Sequence, residues 1–304
     1  MAEVVFVHGI GPVGQSAEDL LADWRMALVA TLRGAEEHAL AERLEGGGTD
    51  LAMAYYRHLF RPYDPADQWD VKLSPEQART ATEVGVGLLG GIEEHAGRER
   101  DRDEAARELT AFRTELGPAQ GPPELLRLAV GGLARCGVVA RAGFAALKTV
   151  LLRDLSQVAV YLDDEDVRER AVAALLELIG PDTRAVYAHS LGSVVAYEAV
   201  HRLEHPLPLL VTFGSPLGLR TIVRERLRPQ PPAVPPTVKR WVNLADRDDF
   251  VVALLNLDRV FGDGTGVLEP TVKVTNPGFD AHAATKYLGH RQAVAPLVEA
   301  LRGL

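Results

Sequence analysis

Short apolar runs alternate with stretches of helical period along most of this chain, and that alternation narrows the folds open to it. Val4 to Val7 is apolar and mostly β-branched, and it breaks into His8-Gly9-Ile10-Gly11-Pro12, a glycine turn. Ser16 opens S-A-E-D, a capping signal, and Leu20, Leu21, Trp24, Leu28 and Leu32 then recur at helical spacing. Gly46-Gly47-Gly48 punctuates, and Leu51 to Phe60 reads as a second strand. Strand, helix, strand in that order predicts a parallel sheet, because parallel neighbours need a crossover between them.

The rhythm stops between residues 62 and 155. Glu93 to Glu108 mixes both charge signs, the composition of a solvated helix face, and Gly121-Pro122-Pro123 ends it. Glu124 to Val160 is apolar and rich in glycine and alanine. The whole segment reads as an inserted helical layer. Arg127, Arg135, Arg141 and Lys148 recur every six to eight residues, a spacing that would put them on one helix face. Such a face suits a membrane surface or an acyl chain. It suits equally well a helix packed on the core with its basic residues in solvent.

The alternation then resumes. Asp163 to Ile179 is an amphipathic helix closed by Gly180-Pro181; Ala185 to Ala188 is a strand and Leu191 to Leu203 a helix. Leu207 to Phe213 is a strand ending in Gly214-Ser215-Pro216, and Pro229 to Pro236 is an extended loop. A strand from Arg240 to Leu244 leads into Ala245-Asp246-Arg247-Asp248-Asp249. Gly262 to Gly266, glycine-rich, reads as a hairpin turn, Val267 to Thr275 as the last strand, and Ala283 to Leu301 as a terminal helix.

Composition limits the function classes. Net charge is 33 − 42 = −9, which repels phosphate backbones and argues against nucleic acid as a partner. The single cysteine, Cys136, allows no internal disulfide and fits a reducing compartment. M-A-E-V-V-F-V-H-G carries no basic segment before its short apolar stretch, unlike a secretory signal. No charge-free apolar run approaches the roughly 18 residues that span a bilayer. A soluble cytoplasmic protein is expected, one domain over residues 1–304 with 62–155 inserted as a cap or lid. Neither HExxH nor CxxC spacing occurs, and Asp246-Arg247-Asp248-Asp249 lacks the spacing of a calcium loop, so no metal or cofactor is expected.

Residues 185–195 read A-V-Y-A-H-S-L-G-S-V-V, with Ser190 between a buried strand and a helix. A reversal within so few residues strains the backbone and lifts the serine Oγ above the sheet. Ala188 and Gly192, both small, let strand and helix approach. The helix beginning at Leu191 points free N–H groups at the serine. A plain helix cap is the other common use of such a serine.

Four separated motifs carry a resemblance: V-H-G-I-G after the first strand, A-H-S-L-G-S, T-F-G-S-P-L-G and W-V-N-L-A-D-R-D-D-F-V. Together they resemble the α/β-hydrolase superfamily, nearest its lipase-like and esterase-like serine hydrolases, over most of the chain outside the insertion. Two departures stand out. Ala188 replaces the commoner glycine of the nucleophile elbow, and the sequence as given opens directly on the strand that carries His8-Gly9, so a sheet without the two usual leading strands is expected. The resemblance implies an α/β-hydrolase fold, a mostly parallel sheet flanked by helices, with a helical cap that sets specificity.

It also implies a triad in the chain order serine, acid, histidine. Ser190 is then the nucleophile. Asp249, just ahead of Phe250-Val251, matches the acid, with Asp246 as the alternative. His282 follows the last strand, whereas His290 would sit inside the terminal helix. His189 precedes the acid, and strand alternation turns its side chain away from Oγ. The N–H groups of Leu191 and Ile10 would form the oxyanion hole, with Gly11 keeping that loop close and His8 bracing it. The implied activity is hydrolysis of carboxylic esters, lipid esters included, through an acyl-enzyme, with a small-molecule or lipid ester as substrate. An amidase, peptidase, thioesterase or acyltransferase would use the same triad. A non-catalytic hydrolase-fold interaction module would lack its geometry.

Overall fold

The computed structural model describes residues 1–10, 14–63, 72–115, 121–141, 147–220, 225–252, 254–262 and 264–302. Gly11, Pro12 and Asp263 of the sequence motifs lie outside them. Six strands, β1 (Val4–Val7), β2 (Leu51–Ala54), β3 (Ala185–His189), β4 (Leu209–Phe213), β5 (Trp241–Asp246) and β6 (Val272–Val274), form one sheet in the order β2-β1-β3-β4-β5-β6. Every neighbouring pair is parallel. Gly262 and residues 264–266 therefore lie in a crossover between parallel strands and not in a hairpin turn. Strand β6 is shorter than its apolar run, which meets the sheet earlier only through an isolated bridge from Leu268 to Trp241.

Helices cover both faces, and the strand period of two decides which residue meets which layer. Val4 and Phe6, with Ala185 and Tyr187, face α1 (Ala17–Gly34), α2 (His38–Glu45), α11 (Ala284–Leu288) and α12 (Arg291–Leu301). Val5 and Val7, with Val186 and Ala188, face the other side. There one apolar core joins the sheet to α3 (Pro75–His95), α4 (Glu99–Glu115), α5 (Pro122–Arg135), α6 (Gly137–Ala140), α7 (Leu147–Asp163), α8 (Glu165–Leu176) and α9 (Leu191–Val200). A short α10 (Asp258–Phe261) precedes β6. The segment that interrupts the strand rhythm thus supplies most of one helical layer and shares its apolar core with the sheet. Among the described residues, no helix is long and apolar enough to cross a membrane.

Several sequence expectations change at element ends. Ser16 caps α1 as a reciprocal box: its Oγ accepts the Asp19 N–H at 3.1 Å while Asp19 accepts the Ser16 N–H at 2.9 Å. Strand β2, by contrast, stops at Ala54. The Tyr56 N–H is drawn to His8 Nε2 at 3.3 Å, and a 3₁₀ turn follows over Arg57–Tyr63. The terminal helix breaks at Gly289-His290, so His290 caps α12 and does not lie within a helix.

The expected basic face does not form. Arg127 and Arg135 lie on α5, Arg141 follows α6, and Lys148 is on α7. Breaks between these helices reset the period, and acids of the charged helix α4 take two of the cations: Arg135 pairs with Glu108 at 2.5 Å and Arg141 with Asp101 at 2.5 Å.

A buried ion pair ties α9 to its surroundings. Arg168 of α8 and Glu198 of α9 are almost fully buried and joined through Arg168 Nε–Oε2 at 2.8 Å and a second, shorter contact. The Tyr161 hydroxyl donates to Glu198 at 2.7 Å, and the Arg228 N–H at 3.1 Å. Removing one partner leaves the other charge desolvated and unpaired. Glu198→Ala is expected to lower unfolding stability by about 3–5 kcal/mol in denaturant titrations at unchanged m-value. A loss below about 1 kcal/mol would show that Arg168 finds another partner or water.

The strand order also locates a crevice. From β1 the chain moves to β2 on one side and later to β3 on the other, so the direction of winding switches between β1 and β3. In open parallel sheets the carboxyl ends at such a switch leave a gap between the loops. His8-Gly9-Ile10 leaves β1 there, and Ser190 leaves β3.

Candidate active site

Ser190 has φ 54° and ψ −131°, a backbone conformation that side chains rarely adopt, at a cost of about 1–3 kcal/mol. Neighbouring contacts hold it there. Its N–H donates to Phe213 O at 3.2 Å, and the Ser193 hydroxyl donates to its carbonyl at 2.6 Å. Two glycines make the space. A Cβ on Gly9 would lie 2.5 Å from Ser190 Cβ, and one on Gly192 would lie 2.4 Å from the His8 carbonyl oxygen. Loop, elbow and helix therefore pack backbone to backbone, which only glycine permits at these two positions.

His282 lies beside the serine, 92 residues away in sequence, with Nε2 2.9 Å from Ser190 Oγ. Its Nδ1 faces Asp249, 2.8 Å from Oδ2 and 3.0 Å from Oδ1. The Asp249 carboxylate also accepts the Tyr287 hydroxyl at 2.8 Å and the Val251 N–H at 3.0 Å. Asp246, the alternative acid, is turned elsewhere. Its carboxylate accepts the Asp248 N–H at 2.8 Å and the Asn276 N–H by a shorter contact, tying the end of β5 to the loop after β6. Asn276 in turn donates to Ala281 O at 2.5 Å and bonds His290 Nε2 through Oδ1 at 2.8 Å. Asp246, Asn276 and His290 thus hold the loop that carries His282.

Electrostatics set the protonation states. Burial favours a neutral Asp249, but the adjacent His282 charge and the donated hydrogen bonds outweigh it and keep this carboxyl below the usual aspartate range. Burial also opposes charge on His282. The Asp249 charge and hydrogen bond, with smaller contributions from Asp280 and Asp154, nevertheless raise its pKa. Gly214, at φ 55°, permits this crowding: a Cβ there would lie 3.1 Å from Asp249 Oδ2 and 3.2 Å from His282 Nδ1.

Two further histidines support the site as neutral groups. His189, on the same face of β3 as Tyr187, donates Nε2–H to the His282 carbonyl at 2.7 Å, and the two rings sit 4.5 Å apart. Burial drives its pKa down to about 3. His8 accepts the Tyr56 N–H at Nε2, so its Nδ1 carries the proton and donates to Gly9 O at 2.5 Å. Its ring stacks on Tyr56 at 4.4 Å, and burial lowers its pKa to about 4. His8 thereby braces the glycine loop. His189 backs the histidine-bearing loop, a role that the alternation argument had left unassigned. Tyr287 was absent from the sequence reading altogether, since nothing local distinguishes it from a core tyrosine.

Ile10, Ser190, Leu191 and His282 line one cavity. Helix α9 begins at Leu191, whose N–H precedes the first bond of the helix, Ser193 N–H to Ser190 O at 2.9 Å. A poised hydroxyl, a base on it, a carboxylate behind the base and free backbone donors are the components of acyl transfer to a serine. Comparison of the chain with protein-family models, with curated proteins and with solved structures finds no match in any of the three.

Proposed function

We propose that this chain is a serine hydrolase of the α/β-hydrolase fold that cleaves carboxylic esters through an acyl-enzyme. The observation that carries the reading is the unbroken line Tyr287–Asp249–His282–Ser190, each link between 2.8 and 2.9 Å. His282 takes the Ser190 proton as Oγ attacks the ester carbonyl, and Asp249 stays ionised to orient and stabilise the imidazolium. The Leu191 and Ile10 N–H groups receive the oxyanion. Small-molecule esters, and lipid esters with a compact acyl part, are the substrates that fit this reading. A fluorophosphonate probe is the direct test. It should attach to Ser190, identified by peptide mass, and Ser190→Ala should remove the label. Labelling elsewhere, or none on folded protein, contradicts the reading.

The charges around His282 add a pH prediction. The base works only when neutral, so activity grows as pH rises through the His282 pKa. Asp249, Asp280 and Asp154 hold that pKa above its ordinary value of about 6.5, which moves the acid limb of kcat/KM upward. Asp280, two residues before the histidine, is one of these charges. Asp280→Asn keeps the size of the side chain but removes the charge. The limb should then fall to lower pH, with more activity retained under mildly acidic conditions. A pH–rate profile whose limb stays put or rises in this variant speaks against the assignment.

A further inference from the structure

Three cavities border His282, of about 450, 220 and 100 Å³, and the candidate nucleophile lines only the smallest. The largest runs past Gly9, Trp24, Arg153 and Ala284. The smallest is walled by Val84 and Leu88 of α3, Leu155 and Val158 of α7, and Phe250, with Ser190 and Leu191 at one end. Ile10, Asp154, His189, Asp280 and His282 border both the largest and the smallest.

We infer that the smallest cavity is the acyl pocket, that it admits an acyl chain of about four carbons, and that the substrates are esters of short carboxylic acids with a bulkier alcohol part. The inference rests on the serine hydrolase reading, and the chemistry assigns the two sides. Oγ bonds to the carbonyl carbon and its proton passes to His282 Nε2. The bond from that carbon to the alcohol oxygen breaks, and the same proton goes to the departing alcohol. The acyl group is now bonded to Ser190 and must occupy a space that Ser190 lines. The alcohol leaves past His282 into the largest cavity. Water then adds to the acyl carbon, its proton travels through His282 back to Oγ, and the carboxylic acid is released.

Size decides the acyl length. An apolar cavity of about 150 Å³ holds benzene, six carbons, so about 100 Å³ holds roughly four. The walls leave little slack. Leu88 is 6% exposed and Leu155 3%, and both belong to the core shared with the sheet. Helices α3 and α7 also touch closely at Gly85, where a Cβ would lie 3.2 Å from Leu155 Cδ1. A close-packed interior does not widen for extra methylenes at low cost.

The test is kcat/KM for p-nitrophenyl acetate, butyrate, hexanoate, octanoate and dodecanoate, alongside labelling by a methyl and a dodecyl fluorophosphonate. Wild-type protein should prefer acetate or butyrate and lose at least about 10-fold by octanoate, since each misfitting methylene costs about that factor. Leu88→Ala removes side-chain volume from the wall and should raise the octanoate-to-butyrate ratio by about 10-fold or more. Should that variant fail to fold, Val84→Ala makes the same comparison with a smaller cut. Octanoate or dodecanoate turned over as well as butyrate by wild type overturns the inference, as does an unchanged ratio in a folded variant. If Ser190 takes the methyl probe and the esters of long acids are preferred, only the pocket assignment falls. If Ser190 resists both probes and no ester is cleaved, the hydrolase reading falls and the acyl pocket with it.

Discussion

Ser190→Ala is expected to lower kcat on p-nitrophenyl butyrate by about 10⁶, the loss seen when the nucleophile of such a triad is removed. His282→Ala should cost about as much, and the double variant little more, because serine and base act as one unit. The strained turn at Ser190 is held by its N–H bond to Phe213 O and by the Ser193 hydroxyl on its carbonyl, neither of which uses the Ser190 hydroxyl. The alanine variant should therefore fold with near-native stability, and circular dichroism with thermal melting checks this. Activity within about tenfold of wild type in the folded variant would place the nucleophile elsewhere.

Asp249→Asn should reduce kcat by about 10⁴, while Asp246→Asn should act mainly on stability. An asparagine at 249 presents either an amide NH₂ or a neutral oxygen to His282 Nδ1. The first favours the tautomer with its proton on Nε2, which is unable to accept the Ser190 proton. The second no longer stabilises the imidazolium. Asp246 makes its bonds to the N–H groups of Asp248 and Asn276, and it is Asp249 that bonds His282. Its amide variant turns an NH₂ toward one of those donors and forfeits a charge-assisted bond, worth about 1.5–3 kcal/mol. Parallel measurement of kcat and melting temperature separates the two. A collapse of kcat in Asp246→Asn with a nearly normal Asp249→Asn would reverse the assignment of the acid.

Much of the architecture could be read locally. The β-branched run at Val4–Val7, the capping box at Ser16 and the strand–turn–helix at Ser190 are interactions among residues close in sequence, and the structure reproduces all three. Chain order, with the motif likeness, pointed to His282, which the structure places against Ser190 Oγ. Where local reading erred, a distant partner had intervened. Strand β2 ended early because His8 captured Tyr56, and the basic residues of the insertion separated onto three segments, two of them paired with acids of α4. The acid was ambiguous for the same reason. Asp246 and Asp249 differ little in their neighbours along the chain. They differ in what faces them, Asn276 in one case, His282 and Tyr287 in the other.

Short-range sterics and periodicity, present in the chain itself, settled the parallel alternation of strands and helices and the bent junction that raises the Ser190 hydroxyl. Only the folded arrangement decided which carboxylate stands behind the imidazole, that His189 and Tyr287 back the pair, and that α3 and α7 close a small apolar space beside the serine. Those features depend on contacts spanning from 33 to more than 100 residues, and no local pattern encodes the direction from which a remote side chain arrives.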